Sequence, residues 1–402
     1  MKAKIAIVVG FAVAVAVILW ITRRGGGDGG GKPAVGGQTA AGGAPGPAPD
    51  GPVTEIGFLY STEKKEWLEA AVAEFQAKNP AIKVSLRGMG SIDAAGAILD
   101  GKEKPVLWSP ADSMVLAMLR DDWETRNGSP LFAAEGGEDE PQSLVLTPLV
   151  FVVWQDRAEA LLRASGGSIT WEAIHKLVTS NQGWPAVGGK AAWGFVKLGH
   201  TDPTRSNSGL QTLLLMTYDY YKKTRGLQVS ELLDPKYQEW VKQIESGVSK
   251  FETSTGTFMT DMIRFGPSKY DIAMVYENLA ISQLGNAQGR WGNLLVYYPP
   301  VTLWSDHPVA LLRAEWVSPA QRDAARKLVA YLRSRPIQER AMHQGFRPAD
   351  TSVPIRTAEG ANPWTRLAAF GIKVEVPPAA ELPDGAVVRN LMTMWSRVVA
   401  AR

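Results

Sequence analysis

Residues 53–86, VTEIGFLYSTEKKEWLEAAVAEFQAKNPAIKVSL, decide the fold of this chain. The first eight residues are rich in branched and aromatic side chains and predict a strand. Ser61 to Lys64 then opens a helix with apolar residues at helical spacing, Asn79-Pro80 ends it, and Ile82 to Leu86 predicts a second strand. A strand, a helix and a second strand in this order form a right-handed βαβ unit of a parallel sheet.

The same alternation continues with a helix, a strand and a helix over residues 90–101, 105–108 and 112–123. Further strands are predicted at 193–198 and 270–276, with an apolar helix at 210–221 between them. Ser143 to Trp154 and Leu294 to Leu303 are long apolar strands that contain proline, and each predicts a crossing between lobes. The predicted fold class is therefore α/β, with two lobes joined by two crossover strands.

Length and composition narrow the range of functions. At 402 residues the chain exceeds the size that a single core usually supports, which favours two lobes. The absence of Cys excludes disulfides, thiolate catalysis, thiolate zinc sites and iron–sulfur clusters. Five basic and two acidic residues lie in 1–52, which leaves 38 of each sign in 53–402. A folded part without net charge has no overall field that attracts nucleic acid, so no nucleic-acid partner is expected.

Residues 1–24 predict a membrane anchor. Ile5 to Ile21 is a run of 17 uncharged residues between two lysines and two arginines, and about 17–25 such residues span a bilayer. A cleaved signal peptide is the alternative, but the small-residue pattern Ala12-Val13-Ala14 lies inside the apolar run, where cleavage would leave an apolar piece exposed. We therefore expect a single-pass anchor in the cell membrane, with the folded part extracytoplasmic, either periplasmic or extracellular.

The segment that follows predicts a tether rather than a folded element. Residues 25–52 contain 12 Gly and 5 Pro among 28 residues and cannot bury enough apolar surface to fold. A flexible linker of this length has an end-to-end distance of roughly 30 Å. The folded part then divides into a first lobe over 53–150, a second lobe over 151–298, and a return to the first lobe with a C-terminal helix over 299–402.

Hydroxyl side chains concentrate where predicted strands are followed by helices. In an open parallel sheet, ligands bind at the carboxyl ends of strands, where helix N-termini offer unpaired N–H groups. The hydroxyls at these turns belong to Ser61, Thr62, Ser91, Ser109, Thr204, Ser206 and Ser208. If the turns converge on one cleft, they line a pocket for a small polar or anionic solute. The alternative is that each residue only caps a helix, because Ser and Thr are preferred there.

The loop between residues 200 and 209 adds two candidate groups. Arg205 can pair with an anion through its two-pronged guanidinium, and Asn207 lies among the hydroxyls. Gly209 allows a ligand or a neighbouring backbone to approach closely. The alternative is a capped turn with a surface arginine.

The end of the strand at 270–276 adds three more candidates. Tyr276 and Asn278 can donate hydrogen bonds to a ligand, and Glu277 can accept them. The alternative is a buried tyrosine with a satisfied hydroxyl, followed by a glutamate cap. His307 follows the second predicted crossing and is a further candidate, although a lone histidine more often has a structural role.

Enzyme motifs are incomplete. Ser61-Thr62-Glu63-Lys64 matches the S-x-x-K of penicillin-interacting enzymes, but the sequence lacks S-D-N and K-T-G. Gly183 to Lys190 approaches a phosphate-binding loop, but its spacing is wrong and Ala191 replaces the required hydroxyl. The 14 Trp residues are better explained by core packing than by sugar stacking, because most lie among apolar neighbours. No catalytic residue, metal ligand or cofactor is therefore expected.

Four stretches carry a family resemblance: GHTDPTRSNSGLQTLLLMTYDYY at 199–221, YEN at 276–278, YPPVTLWSDHP at 298–308 and AARKLVAYLRSRPIQERAMHQGFRP at 324–348. They resemble the extracellular solute-binding proteins of the type 2 periplasmic-binding fold. The nearest branch is similar to the molybdate-type, family 11-like proteins and to the domains found beside von Willebrand A modules. The resemblance spans roughly Val53 to Pro348.

The resemblance implies two α/β lobes that close by a hinge on a ligand. In the molybdate branch, serines after the first and second strands bind the oxyanion, and these positions match Ser61 and Ser91. The second-lobe loop of the family matches Thr204 to Ser208, and a later tyrosine matches Tyr276. This chain departs from the pattern in having Arg205, Asp202 and Glu277 close to these positions. The two carboxylates repel a dianion unless they are paired, protonated or turned away.

Three functions follow as hypotheses. The first is a membrane-tethered solute-binding protein that delivers a small polar or anionic solute to an ABC-type permease. The second is a membrane-attached sensor or adaptor of the same fold with a protein partner. The third is a hydrolase that uses Ser61 and Lys64, which the missing companion motifs disfavour.

Overall fold

The computed structural model describes residues 51–356 and 362–400. The predicted anchor over 1–24 and the predicted linker as far as residue 50 lie outside the described residues. Within the described ranges, no helix combines the length and the apolar character that crossing a membrane requires.

Strands and helices alternate along most of the chain. The strands are β1 (Thr54–Tyr60), β2 (Ile82–Gly88), β3 (Leu107–Ser109), β4 (Gln142–Ser143), β5 (Val145–Trp154), β6 (Leu198–Gly199), β7 (Ile272–Tyr276), β8 (Leu294–Tyr297), β9 (Trp304–Ser305), β10 (Pro308–Leu311) and β11 (Arg347–Pro348). The helices are α1 (Lys65–Lys78), α2 (Ser91–Leu99), α3 (Ser113–Asn127), α4 (Gln155–Ala164), α5 (Trp171–Thr179), α6 (Asn207–Tyr221), α7 (Val229–Leu232), α8 (Pro235–Glu245), α9 (Thr255–Phe265), α10 (Glu277–Ala287), α11 (Pro319–Leu332), α12 (Arg335–His343), α13 (Pro363–Arg366) and α14 (Gly385–Trp395).

The βαβ unit predicted from residues 53–86 is present. β1 pairs in parallel with β2 on one side and with β3 on the other. Helix α1 buries one face in the same apolar cluster as Phe58 of β1, through Trp67, Leu68, Ala71, Val72 and Phe75. β10 and β4 complete the sheet in the order β2-β1-β3-β10-β4, with β10 antiparallel to both of its neighbours.

The second sheet is built around β5. Its strand order is β11-β5-β7-β6, and β8 and β9 also pair with β5. β5 is antiparallel to every one of these partners, whereas β6 and β7 are parallel. The residues of β5 from Leu149 to Trp154 are almost completely buried, as expected for a central strand covered on both faces.

Two apolar clusters define two lobes. The first lobe (residues 54–145 and 309–346) packs around Phe58, Leu107 and Leu328. The second lobe (residues 149–303) packs around Val150, Leu213 and Val275. The chain therefore passes between the lobes along β5 and β9, and again at β11, where it leaves the first lobe for the C-terminal segment.

The crossings at β5 and β9 pair with each other as antiparallel strands. Thr147 of β5 lies opposite Ser305 of β9. The predicted return strand over 294–303 stays within the second lobe, and the actual crossing follows it at β9. Pro299-Pro300 has no N–H to donate to a ladder, so β8 ends before it.

The C-terminal segment packs with the second lobe. Trp364, Val388 and Trp395 all belong to the apolar cluster around Val150. Helix α14 also reaches the first lobe at the surface, where Arg389 donates to the carboxylates of Asp121 and Asp122. The sequence analysis grouped this helix with the return to the first lobe over 299–402, whereas its apolar side chains lie in the second-lobe cluster.

A buried charged pair fastens α14 to the second lobe. His200 Nε2 lies 2.8 Å from Glu245 Oε2, and His200 Nδ1 lies 2.8 Å from the main-chain oxygen of Thr201. Trp395 Nε1 donates to the other oxygen of Glu245 at 2.8 Å. Because both imidazole nitrogens face oxygen acceptors, we assign a proton to each. Burial alone lowers the pKa of His200, but Glu245 outweighs burial and raises that pKa above its ordinary value.

Folding stability is therefore expected to depend on the charge of His200. A pKa raised in the folded state gives stabilisation that is fully present below the unfolded-state pKa, at about pH 6.5, and is lost as pH rises through the folded-state pKa. The difference in melting temperature between the wild type and His200→Gln should therefore shrink as pH is raised through that interval. A difference that stays constant from mildly acidic to alkaline pH would contradict a charged pair.

Candidate functional site

Three turns of the first lobe meet where β1 and β3 end. The main-chain N–H of Ser61 donates to the main-chain oxygen of Ser109 at 3.0 Å. Ser91 opens α2, and its Oγ accepts a hydrogen bond from the main-chain N–H of Ala111 at 2.9 Å. All three serines are buried. The carboxyl ends of the parallel strands thus bring three predicted site residues into one place.

Lys64 is fully buried beside these serines. Its Nζ contacts Ser61 Oγ, donates to the main-chain oxygen of Pro110 at 3.1 Å and lies 3.0 Å from His307 Nδ1. The Glu63 carboxylate accepts a hydrogen bond from Ser61 and lies 3.6 Å from Lys64 Nζ. His307 Nδ1 faces two groups of opposite kind: the Lys64 ammonium at 3.0 Å, which only donates, and the Glu63 carboxylate at 3.3 Å, which only accepts. Because the contact with Lys64 is the shorter one, we assign Nδ1 as an acceptor and place the imidazole proton on Nε2.

Burial and charge shift the pKa values of these groups. Burial lowers the pKa of Lys64 to about 8, although Glu63 opposes the change. Burial would raise the pKa of Glu63, but the charge of Lys64 and the hydrogen bond from Ser61 act in the opposite direction and favour the ionised carboxylate, so the pKa lies below its usual range. Burial and the charge of Lys64 lower the pKa of His307 to about 4. At neutral pH, Lys64 and Glu63 therefore form an ion pair and His307 is neutral.

His307 has an unusual backbone conformation for a bulky residue. Its φ of 41° lies in the left-handed region, which costs energy for any residue other than glycine. The conformation is held at both ends: the His307 N–H donates to Ala111 at 3.1 Å, and the His307 oxygen accepts from Leu144 at 3.1 Å. Local strain held in this way is typical of functional sites.

The second lobe contributes polar groups from the start of α6 and the end of β7. Asn207 Nδ2 donates to the hydroxyl of Tyr276 at 3.0 Å and lies 3.4 Å from Ser305 Oγ. The Tyr276 ring packs edge-on against the His307 ring, with 5.9 Å between centroids. The polar groups of the second lobe therefore reach the crossing at β9 and the imidazole that contacts Lys64.

Hydrogen bonds also connect the two lobes directly. Gln211 Nε2 donates to Asp112 Oδ2 at 2.8 Å. Asn278 Nδ2 donates to the main-chain oxygen of Glu63 at 3.2 Å. Burial, followed by the charge of Asp306, raises the pKa of Asp112 well above its usual range. The lobes are thus in contact in this structure.

The residues joined by these contacts form one group, which we call the interlobe polar cluster. It consists of Ser61, Glu63, Lys64, Ser91, Ser109, Asp112, Asn207, Gln211, Tyr276, Asn278, Ser305 and His307. Six of the predicted site residues belong to it: Ser61, Ser91, Ser109, Asn207, Tyr276 and Asn278.

The remaining predicted residues have other surroundings. Ser206 and Ser208 lie near Thr255 inside the second lobe, and the Thr204 hydroxyl donates to Asp202 at 2.7 Å. Thr62 lines a groove at the edge of the cluster.

Two charged residues among the predicted set are paired elsewhere. Arg205 lies at the surface and donates to both oxygens of Asp93 on α2, at distances of 2.8 to 3.1 Å. Glu277 is buried and accepts from Arg347 at 2.7 and 2.8 Å. Both carboxylate–guanidinium pairs are bidentate, which leaves neither charge directed at the interlobe polar cluster.

Five buried polar atoms in the cluster have no hydrogen-bond partner among the described residues. They are Ser109 Oγ, Asn207 Oδ1, Gln211 Oε1, Asn278 Oδ1 and His307 Nε2. A buried polar atom without a partner costs about 1–3 kcal/mol, so such atoms are rare and seldom gather in one place. Their concentration between the lobes makes this cluster the candidate site of the protein.

Sequence reasoning named His307 as a further candidate and Lys64 only for a hydrolase, and it missed four members of the cluster: Glu63, Asp112, Gln211 and Ser305. Gln211 follows Asn207 by four residues on α6, so the two side chains share one helix face, and that spacing was the available signal. Asp112 was identified only as a helix start, and its side chain does accept from the Met114 N–H. Ser305 lies on the short strand β9, whose role as a crossing depends on tertiary structure.

A groove of about 620 Å³ opens beside the cluster, between the lobes. Tyr60, Thr62 and Glu63 line it on the first-lobe side. Ser254, Thr257 and Asn278 are among the residues that line it on the second-lobe side. Among the described residues, no group of His, Asp and Glu side chains has an arrangement that could hold a metal ion.

Two α/β lobes, two paired crossings and a buried polar cluster between the lobes define a two-lobed binding protein. The model of the bacterial extracellular solute-binding protein family matches residues 56–347. The chain belongs to this family, and the resemblance inferred from residues 53–348 is confirmed. It is therefore a binding protein and not an enzyme, and the hydrolase hypothesis is set aside.

Solved structures of periplasmic binding proteins share the fold. The sulfate-binding protein SubI from Mycobacterium tuberculosis H37Rv is 16% identical, with a TM-score of 0.54 over 81% of this chain and 93% of that chain. Iron-bound HitA from Pseudomonas aeruginosa is 15% identical, with a TM-score of 0.55 over 86% of this chain and 99% of that chain. AfuA from Actinobacillus pleuropneumoniae, with fructose-6-phosphate bound, is 14% identical, with a TM-score of 0.54 over 87% of this chain and 99% of that chain. No curated protein sequence matches the chain. At these identities the similarity establishes the fold alone.

Proposed function

We propose that this protein captures a small polar solute between its two lobes and delivers it to an ABC-type permease. The observation that carries the proposal is the set of five unpartnered buried polar atoms in the interlobe polar cluster. The atoms come from both lobes and from the segment that follows β9, so a molecule bound there would be held by all three. Membership in an extracellular solute-binding family supports the transport role.

The membrane tether is part of the same proposal. Its support is the uncharged run from Ile5 to Ile21, followed by the Gly- and Pro-rich residues 25–52. A tether keeps the binding protein near a permease in the same membrane, which raises the effective concentration for transfer of the solute. The folded part is then extracytoplasmic, as the family description implies.

Native mass spectrometry of the full-length protein tests the proposal. We expect a bound small molecule of defined mass that is lost on denaturation. Re-addition of that molecule at a hundred times its dissociation constant should stabilise the folded state by about 2.7 kcal/mol. Absence of any bound molecule, together with saturable binding to a second protein, would contradict solute capture and favour the sensor or adaptor function.

A further inference from the structure

The orientation of two amide side chains fixes the chemistry that the interlobe polar cluster offers. Gln211 Nε2 lies 2.8 Å from Asp112 Oδ2 and 3.2 Å from the main-chain oxygen of Trp304. A main-chain oxygen can only accept, so the NH₂ group must face it and Gln211 Oε1 points the other way. The unpartnered atom of Gln211 is therefore a hydrogen-bond acceptor.

Asn278 is oriented by the same reasoning. Its Nδ2 lies 3.2 Å from the main-chain oxygen of Glu63, which can only accept. Asn278 Oδ1 is therefore a second unpartnered acceptor. Asn207 contacts two hydroxyls, which can donate or accept, so these contacts do not fix the orientation of its amide. The unpartnered atom of Asn207 can therefore be a donor or an acceptor.

The cluster also contains unpartnered donors. With the proton assigned to Nε2, His307 offers an N–H, and Ser109 offers a hydroxyl that can donate or accept. A molecule that satisfies the cluster must therefore both donate to the amide oxygens and accept from the imidazole. Hydroxyl and amide groups have this dual character, whereas a fully deprotonated oxyanion only accepts.

The charges near the cluster are already neutralised within the protein. The three N–H bonds of Lys64 face Ser61 Oγ, the Pro110 oxygen and His307 Nδ1. The guanidinium of Arg205, the cation predicted for an anionic ligand, is held by Asp93. Within the described part of the cluster, no cation is left to pair with an anion, and the carboxylate of Glu63 would repel one.

From these contacts we infer that the solute is an uncharged molecule that carries several hydroxyl or amide groups, and not an oxyanion. The inference rests on the proposed function and names the chemical class that the same site accepts. The unpartnered atoms are buried while the lobes touch. The solute therefore enters when the lobes separate and is enclosed when they close on it.

A panel of small molecules tests the inference on the full-length protein. Myo-inositol and glucose represent hydroxyl solutes, acetamide and N-acetylglycinamide represent amides, and sulfate, phosphate and molybdate represent oxyanions. We expect a saturable rise in melting temperature with at least one hydroxyl or amide probe and no saturable rise with the oxyanions.

Three outcomes of the panel are distinguishable. A saturable rise with an uncharged probe alone supports the inference. A saturable rise with an oxyanion would overturn it while leaving solute capture in place. No rise with any probe would also overturn it, and solute capture would then be decided separately by native mass spectrometry of the purified protein.

A substitution in the interlobe polar cluster tests whether the stabilising probe binds there. Gln211→Met should weaken binding of the stabilising uncharged probe about tenfold, because one hydrogen bond to the solute is lost. Gln288→Met, on an exposed residue at the end of α10, should leave the affinity unchanged. If Gln211→Met does not fold, Asn278→Ala provides the same comparison. Unchanged affinity in the folded variant would contradict the assignment.

Discussion

Replacing Glu277 with Gln is expected to lower the free energy of unfolding by about 3–5 kcal/mol. Glu277 accepts from the Arg347 guanidinium at 2.7 and 2.8 Å, and both side chains are nearly inaccessible to solvent. Arg347 also donates to the main-chain oxygens of Lys373 and Val374 at 2.7 Å, so it ties the C-terminal segment to the second lobe. The substitution leaves a buried guanidinium without its counter-charge, and an unpaired buried charge strongly destabilises the folded state.

The matched control is an exposed pair in the same part of the chain. Arg356 and Glu375 form an ion pair with side chains 71% and 80% exposed, so Glu375→Gln should cost less than about 1 kcal/mol. Urea denaturation of both variants measures the difference. Equal effects would contradict a structural role for the buried pair. Glu277→Gln protein that remains folded should bind solute with the wild-type affinity, because Glu277 faces away from the interlobe polar cluster.

Replacing Gly90 with Val is expected to weaken solute binding about ten- to a hundredfold. A Cβ at Gly90 would lie 2.8 Å from the Arg205 oxygen and 2.9 Å from the Thr253 oxygen, both main-chain atoms of the second lobe. Neither atom can move without shifting the backbone, and overpacking of this kind costs about 1–3 kcal/mol. The φ and ψ of Gly90, −56° and 139°, suit any residue, so the first lobe itself should fold normally.

Gly96→Val on the same helix is the control for this prediction. No atom lies within 4 Å of the Cβ that a substitution at Gly96 would add. Isothermal titration with the solute identified by native mass spectrometry should therefore show weakened binding for Gly90→Val alone. Equal affinity in the two variants would show that closure of α2 onto the second lobe is not required for capture.

Much of the first lobe could be predicted because its determinants are local. The strand at β1, the helix ending at Asn79 and the turn at Ser91 each depend on residues that are close in sequence. Parallel pairing then brings the strand ends together, so the proximity of Ser61, Ser91 and Ser109 follows from the topology.

The structure of the second lobe and of the candidate site depends on contacts between residues that are distant in sequence. The strand predicted at 193–198 is a 3₁₀ turn over Ala191–Trp193 followed by a two-residue strand, because Gly194 adopts a positive φ and interrupts it. The sequence left Glu277 as either a ligand contact or a helix cap, and only the tertiary structure shows Arg347, seventy residues later, at its carboxylate. No local pattern shows which of several buried polar groups will lack a partner.

The central claim is that two lobes close on each other around the interlobe polar cluster, and a distance measured between the lobes tests it most directly. The chain has no Cys, so spin labels can be placed at Lys83→Cys on the first lobe and Lys250→Cys on the second, both exposed. We expect pulsed electron–electron double resonance to give a shorter interlobe distance in the wild type and in Gly96→Val than in Gly90→Val. Identical distance distributions in all three proteins would contradict closure between the lobes and, with it, the capture of a solute there.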